Sequence, residues 1–273
     1  MIKYCMALSP TKANFAPLLF SGDLNLGMET AAHLGYDGVE FNLLDSTRLD
    51  QVTILNTIHG LGLEVPSIGT GQSYFHENLS LADTSAQTQI AVRARMRGHI
   101  QFASKLGAAV VLGSIRGKLD TSTSNARQAS YDIAVEAARE LAGFAASLGV
   151  TLFVEPINRY ETNFLNTIAE TVEFIRIVGC PNIGVLADTF HMNIEEKNMA
   201  ECLRETGSLL WHMHFADSNR FAPGMGHLNF QELATTLKEM GYNGYVSAEI
   251  IPVPDSRSAA KTWIETIRPM IQA

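Results

Sequence analysis

The sequence predicts an α/β protein, a (β/α)8 TIM barrel forming a single domain over residues 1–273. Three observations carry that prediction. Eight short β-rich runs alternate with eight longer amphipathic stretches, the pattern of repeated βαβ units and a parallel sheet. The chain has 273 residues, above the roughly 100–200 usual for one domain but within reach of an α/β barrel of about 250. The first apolar run is followed by Leu8-Ser9-Pro10-Thr11, which is no phosphate-binding glycine loop. A doubly wound open sheet, the structural alternative, would want one there.

The elements follow in order. Strand Ile2–Leu8 precedes helix Leu24–Leu34, and strand Gly38–Asn42 precedes helix Thr47–Leu61. Leu63–Ile68 leads to Ser85–Leu106, and Ala109–Gly113 to Ser124–Leu148. Val150–Glu155 leads to Thr167–Val178, and Ile183–Asp188 to Met199–Thr206. Leu210–Phe215 precedes Phe230–Met240, and Gly244–Ile250 precedes Ser256–Ile271. Glycine closes several helices, as in Leu34-Gly35, Leu61-Gly62 and Leu106-Gly107, where a left-handed cap is cheap without a Cβ. No linker, low-complexity tract or repeat interrupts the alternation.

Composition narrows the partners. Hydrophobic residues make up 46% of the chain, ample for one large core. No apolar run approaches the roughly 20 residues that span a bilayer, so no membrane partner is expected. The N-terminus, Met-Ile-Lys-Tyr-Cys-Met, is too strand-like for a signal peptide. Cys5, Cys180 and Cys202 are scattered and odd in number, which suits reduced thiols in a cytoplasmic protein. A formal charge of −8 disfavours nucleic acid, whose binders carry a basic footprint.

Active sites of such barrels lie at the carboxyl ends of the strands. The last four predicted strands each place an ionisable residue there: Glu155, Asp188, His214 and Glu249. Three carboxylates at one partly dry rim repel one another, and a cation neutralises them economically. Oxygen-rich donors without thiolate suit Mg²⁺, Mn²⁺ or Ca²⁺, while imidazole draws the choice toward the transition metals. Mn²⁺ fits best, with Co²⁺ or Mg²⁺ as alternatives; no organic cofactor is expected.

Three segments resemble the D-tagatose/D-psicose (allulose) 3-epimerase family, within the xylose-isomerase-like barrels. They are Glu155-Pro-Ile-Asn-Arg-Tyr-Glu161 with Leu165-Asn-Thr167, Asp188-Thr-Phe-His191-Met-Asn-Ile-Glu195-Glu196, and His212-Met-His214 through Arg220 to Gly226. Together with Ser247-Ala-Glu249 they span the second half of the chain; the first half matches only as a generic barrel. The resemblance implies Glu155, Asp188, His214 and Glu249 as metal ligands, with Glu155 and Glu249 doubling as the acid/base pair on opposite faces of the substrate. It also implies Glu161, His191 and Arg220 as substrate-binding groups. The implied reaction is epimerisation of a small ketose at C3 through a cis-enediolate, by a homo-oligomer (dimer or tetramer). The alternatives on the same barrel are an aldose–ketose isomerase, hydroxypyruvate-isomerase-like or inosose-processing. An endonuclease-IV-like nuclease would need many more rim histidines and a basic groove, and a non-catalytic sugar-binding barrel would not need the quartet.

The sequence departs from that family in the loop after strand four. Where an aromatic residue is expected to pack on the sugar, it reads Leu112-Gly-Ser-Ile-Arg116-Gly-Lys118. Arg116 and Lys118 are expected to be solvated loop cations, or else to meet an acidic or phosphorylated sugar. Tyr74 or Phe75 is expected to line the pocket. Glu40, at the end of strand two, is expected to bind a distal hydroxyl or pair with a cation. His212, in phase with His214, is expected deeper in the barrel.

Overall fold

The computed structural model describes residues 1–12 and 17–273. Eight parallel strands close into a barrel in sequence order: β1 (Lys3–Leu8), β2 (Gly38–Asn42), β3 (Ser67–Gly69), β4 (Ala109–Leu112), β5 (Leu152–Val154), β6 (Ile183–Asp188), β7 (Leu210–His214) and β8 (Tyr245–Ala248). Closure comes from β1, which pairs with β2 on one side and β8 on the other. The described helices are α1 (Leu24–Leu34), α2 (Gln51–Leu61), α3 (Gly71–Glu77), α4 (Ala86–Leu106), α5 (Ser124–Ser147), α6 (Ile168–Val178), α7 (Thr189–Glu195), α8 (Met199–Thr206), α9 (Phe230–Glu239) and α10 (Ser256–Gln272). None is long and apolar enough to cross a membrane.

The main core lies between sheet and helices. Val110, Leu112, Leu152, Val154, Val185 and Ala187 face outward into it. Their sequence neighbours Ala109, Val111, Phe153 and Leu186 form a separate small cluster, as alternation along a strand requires. The same alternation aligns Phe153 with Glu155, Leu186 with Asp188, His212 with His214 and Ser247 with Glu249. The first of each pair fills the barrel interior and the second reaches the rim.

Strand three and the second helix start later than the sequence expectation, and two short helices are additional, each for a local reason. Strand three begins at Ser67 rather than Leu63, because Pro66 has no N–H to enter the ladder; Glu64 makes only an isolated bridge to Gly38. The second helix begins at Gln51, since Asp45 caps a tight 3₁₀ turn over Ser46–Arg48 and Asp50 caps the helix itself. The short helices α3 and α7 were not anticipated: each spans seven residues, too few to show a periodic apolar stripe. Both sit at the carboxyl ends of strands and carry residues into the pocket.

Candidate active site and metal centre

Glu155 follows β5, Asp188 and His214 end β6 and β7, and Glu249 follows β8. The structure brings these four together. Each offers one donor atom, and the four atoms lie within 4.8 Å of one another. His214 Nδ1 stands 3.3 Å from Glu249 Oε2, 3.5 Å from Asp188 Oδ2 and 3.9 Å from Glu155 Oε1. Asp188 serves two purposes, because one oxygen accepts the Phe190 N–H at 2.8 Å and caps α7. Its Oδ2 is buried and meets the Arg220 guanidinium at 2.7 Å, while His214 Nδ1 is buried with no hydrogen-bond partner. Converging buried lone pairs of this kind fit a divalent cation.

Arg220 reaches the same cluster from the loop after β7. Its guanidinium lies 2.7 Å from Asp188 Oδ2 and pairs with Glu249. The loop is tied down by Asp217, whose buried carboxylate accepts the N–H groups of Ser218, Gly224 and Leu228 at 2.7–3.1 Å. His191, on α7, accepts an N–H of the Asn158 amide at Nδ1, 2.8 Å away. That fixes its proton on Nε2, which lies 4.0 Å from Glu155 Oε1. The Asn158 amide also donates to Glu161 at 2.9 Å, so Glu161 and His191 share one anchor. α7 is held over the site by Arg159, whose guanidinium clasps both oxygens of Glu195.

Electrostatics follow from burial and crowding. Burial, reinforced by the charge of Glu249, pushes the Glu155 carboxyl up to about 8. Burial also works against the Asp188 carboxylate, but Arg220, with His191 and His214, outweighs it and holds Asp188 below the ordinary range. Burial disfavours a charged His214; Glu249 and Glu40 overcome that and raise it well above the usual histidine value. Burial lowers His191 to about 3, so its ring is neutral and donates from Nε2. The cluster has more carboxylate than it can ionise unaided, and a cation relieves that excess.

Glu155, Glu161, His191, His214, Arg220 and Glu249 line a cavity of about 560 Å³ at the barrel mouth, walled further by Ile157, Phe190, Ile251 and Phe75. Apolar walls with a few convergent polar groups are the usual form of a small-molecule site.

A family model described as the xylose isomerase-like TIM barrel matches residues 28–270. The chain belongs to this family. A D-psicose 3-epimerase from Agrobacterium fabrum (strain C58) is 32% identical over 227 residues, 81% of this chain and 77% of the relative. An L-ribulose 3-epimerase from Methylomonas sp. (strain DH-1) is 31% identical over 242 residues, 85% of this chain and 82% of the relative. The crystal structure of a D-allulose 3-epimerase from Methylomonas sp., in complex with D-allulose, superposes with a TM-score of 0.83 at 25% identity, covering 98% of this chain and 97% of that one. Within the xylose isomerase-like barrels, then, this chain is an isomerase of the epimerase kind.

The site of this xylose isomerase-like barrel corrects one expectation. Arg116 is neither solvated nor turned to the pocket. It is buried, and its guanidinium donates to the carbonyls of Phe164, Gly113 and Leu165 at 2.8–3.0 Å. It braces the loop after β4 to the loop after β5, while Lys118 is exposed. Of the two aromatic residues, Phe75 lines the cavity, whereas Tyr74 packs on the main core. Glu40 does pair with cation-capable groups, namely His212 and His214. Asn158, Asp217 and Gly113 are site-building residues the sequence reading missed. A Cβ on Gly113 would lie 2.6 Å from Glu155 Oε2, a contact visible only after folding. Asn158 could have been suspected from its place inside the Glu155–Glu161 segment.

Proposed function

We propose that this chain is a metal-dependent ketose 3-epimerase acting on a small neutral sugar. The observation that carries the reading is the convergence of Glu155, Asp188, His214 and Glu249 within 4.8 Å, in a chain whose relatives are named ketose 3-epimerases. Those four residues would hold one divalent ion, Mn²⁺ by its taste for mixed oxygen and imidazole donors. When bound, the ion would polarise a carbonyl and offset negative charge, a contribution of several kcal/mol.

The chain's own residues account for the proton traffic. Glu155 and Glu249 follow β5 and β8, on different arcs of the barrel, and both line the cavity. One carboxylate takes the proton from C3 of the ketose, whose electrons delocalise into the C2 carbonyl as a cis-enediolate. The other carboxylate delivers a proton to the opposite face, inverting C3. Each positioned acid or base is worth about 10²–10⁴-fold. His191 donates from Nε2 and Arg220 from its guanidinium, supporting charge as it grows on oxygen. Glu161 accepts a hydroxyl at the exposed side of the pocket.

The lining also supports an uncharged substrate. Arg116 is committed to backbone carbonyls and is not spare for a phosphate. The test is incubation with D-fructose, D-tagatose and their C3 epimers, with and without Mn²⁺, and with the corresponding phosphorylated ketoses. The reading expects Mn²⁺-dependent interconversion of C3 epimers of the free sugars. Turnover of aldoses or phosphorylated sugars alone would overturn it.

A further inference from the structure

We propose that Glu40 is the positioning residue that makes His214 a ligand through Nδ1, with His212 bracing Glu40 from the far side. The inference rests on the reading of the four-residue cluster as a cation site and adds a residue that reading does not contain.

The imidazole of His214 lies between two sets of carboxylates. Its Nδ1 faces Glu249, Asp188 and Glu155, and its Nε2 lies 3.1 Å from Glu40 Oε2. A neutral imidazole gives a lone pair from one nitrogen only if the other carries the proton. Glu40 is the acceptor that keeps that proton on Nε2 and holds the ring's orientation.

Glu40 cannot swing away. It is 2% exposed, and its Oε1 is engaged by His212 Nε2 and, at 3.4 Å, by Cys5 Sγ. His212 is itself held flat against Phe153, ring centroids 5.5 Å apart and planes 17° apart. Glu40 comes from β2 and the histidines from β7, so the link spans the barrel interior. No turn or strand pairing requires it. Packed apolar side chains often stabilise an interior as well as a buried charged group or better, so a carboxylate at this depth points to work on His214.

The test is E40Q, which keeps the shape but can accept from only one histidine while offering the other an N–H. Calorimetry with Mn²⁺ alone should show affinity weakened about 10–100-fold relative to wild type. The visible spectrum of the Co²⁺-loaded variant should differ from that of the wild type. Wild-type protein gives an independent reading that no folding defect can obscure. In heteronuclear NMR of the Cd²⁺-loaded, histidine-labelled chain, coupling to cadmium should run to Nδ1 of His214, with Nε2 protonated. Equal Mn²⁺ affinity in E40Q, or coupling to Nε2, would overturn the assignment of Glu40. A wild-type protein that takes up neither Mn²⁺ nor Cd²⁺ would instead overturn the cation site itself.

Discussion

Gly113 shows how one absent atom shapes the pocket. A Cβ there would press on Glu155 Oε2 at 2.6 Å, and the flexible carboxylate would give way rather than the backbone. G113A should therefore change the melting temperature little, yet weaken Mn²⁺ binding and lower kcat/KM by at least about tenfold, since about 1.4 kcal/mol of misplacement suffices. Calorimetry and steady-state kinetics on the same preparation check both halves. Glu249 is a second single-residue test. E249Q keeps the shape and removes the acid/base group, so secondary structure by circular dichroism should persist while exchange at C3 falls by about 10²-fold or more. Proton competition is a third. Glu155 holds its proton up to about pH 8 in the metal-free cluster, and a cation must displace it. Mn²⁺ affinity should thus rise with pH up to about 8, and lose at least about tenfold per unit below it, since His214 must give up a proton as well. A flat profile in calorimetric titrations on either side of that value would count against Glu155 as a ligand.

The strands and long helices were legible because their signals are local: apolar runs, caps and the glycines at helix ends. Gly35 and Gly62 adopt the left-handed cap expected of them, at φ 74° and 67°. What escaped were elements defined by contacts. α7 exists because Asp188 caps it and Arg159 clasps Glu195, and neither fact is written in its seven residues. Arg116 looked like a loop cation because its three acceptors are backbone carbonyls, which have no signature in a sequence. Its role predicts the outcome of R116M. The variant leaves the buried Phe164 carbonyl unpaired, while Gly113 and Leu165 keep the backbone N–H groups of Arg116 and Ile157, and it should cost on the order of 2 kcal/mol, read as a lower urea midpoint at unchanged slope. α4 carries a pH dependence of its own through His99, buried against Ser73 at 3.3 Å. Burial lowers this ring from 6.5 to about 4, so the folded chain keeps it neutral while the unfolded chain takes a proton. Stability is fully present above about pH 6.5 and is lost as pH falls toward 4, by about 3 kcal/mol in all at 1.36 kcal/mol per unit. H99Q should flatten that limb of a stability–pH curve.

At the scale of the whole molecule, closure converts spacing into chemistry. Glu155 and Glu249 are 94 positions apart in the chain (249 − 155), and the barrel sets them around one point. The rim quartet was legible because strand ends share a rim in any such barrel. The layer beneath was not. Glu40, Cys5 and His212 meet only across the closed interior, and no spacing along the chain announces that meeting. The apolar wall is also a product of closure, with Ile157 and Ile251 arriving from two loops and Phe190 from α7. The account's central claim is that this mouth moves a proton on and off C3 of a ketose. The most direct measurement is mass spectrometry of D-fructose recovered from D₂O after incubation with the Mn²⁺-loaded protein, with the label located by fragmentation. The account predicts one deuterium at C3, together with deuterated C3 epimer in the product. Deuterium confined to C1 with aldose formation, or none at all, would contradict it.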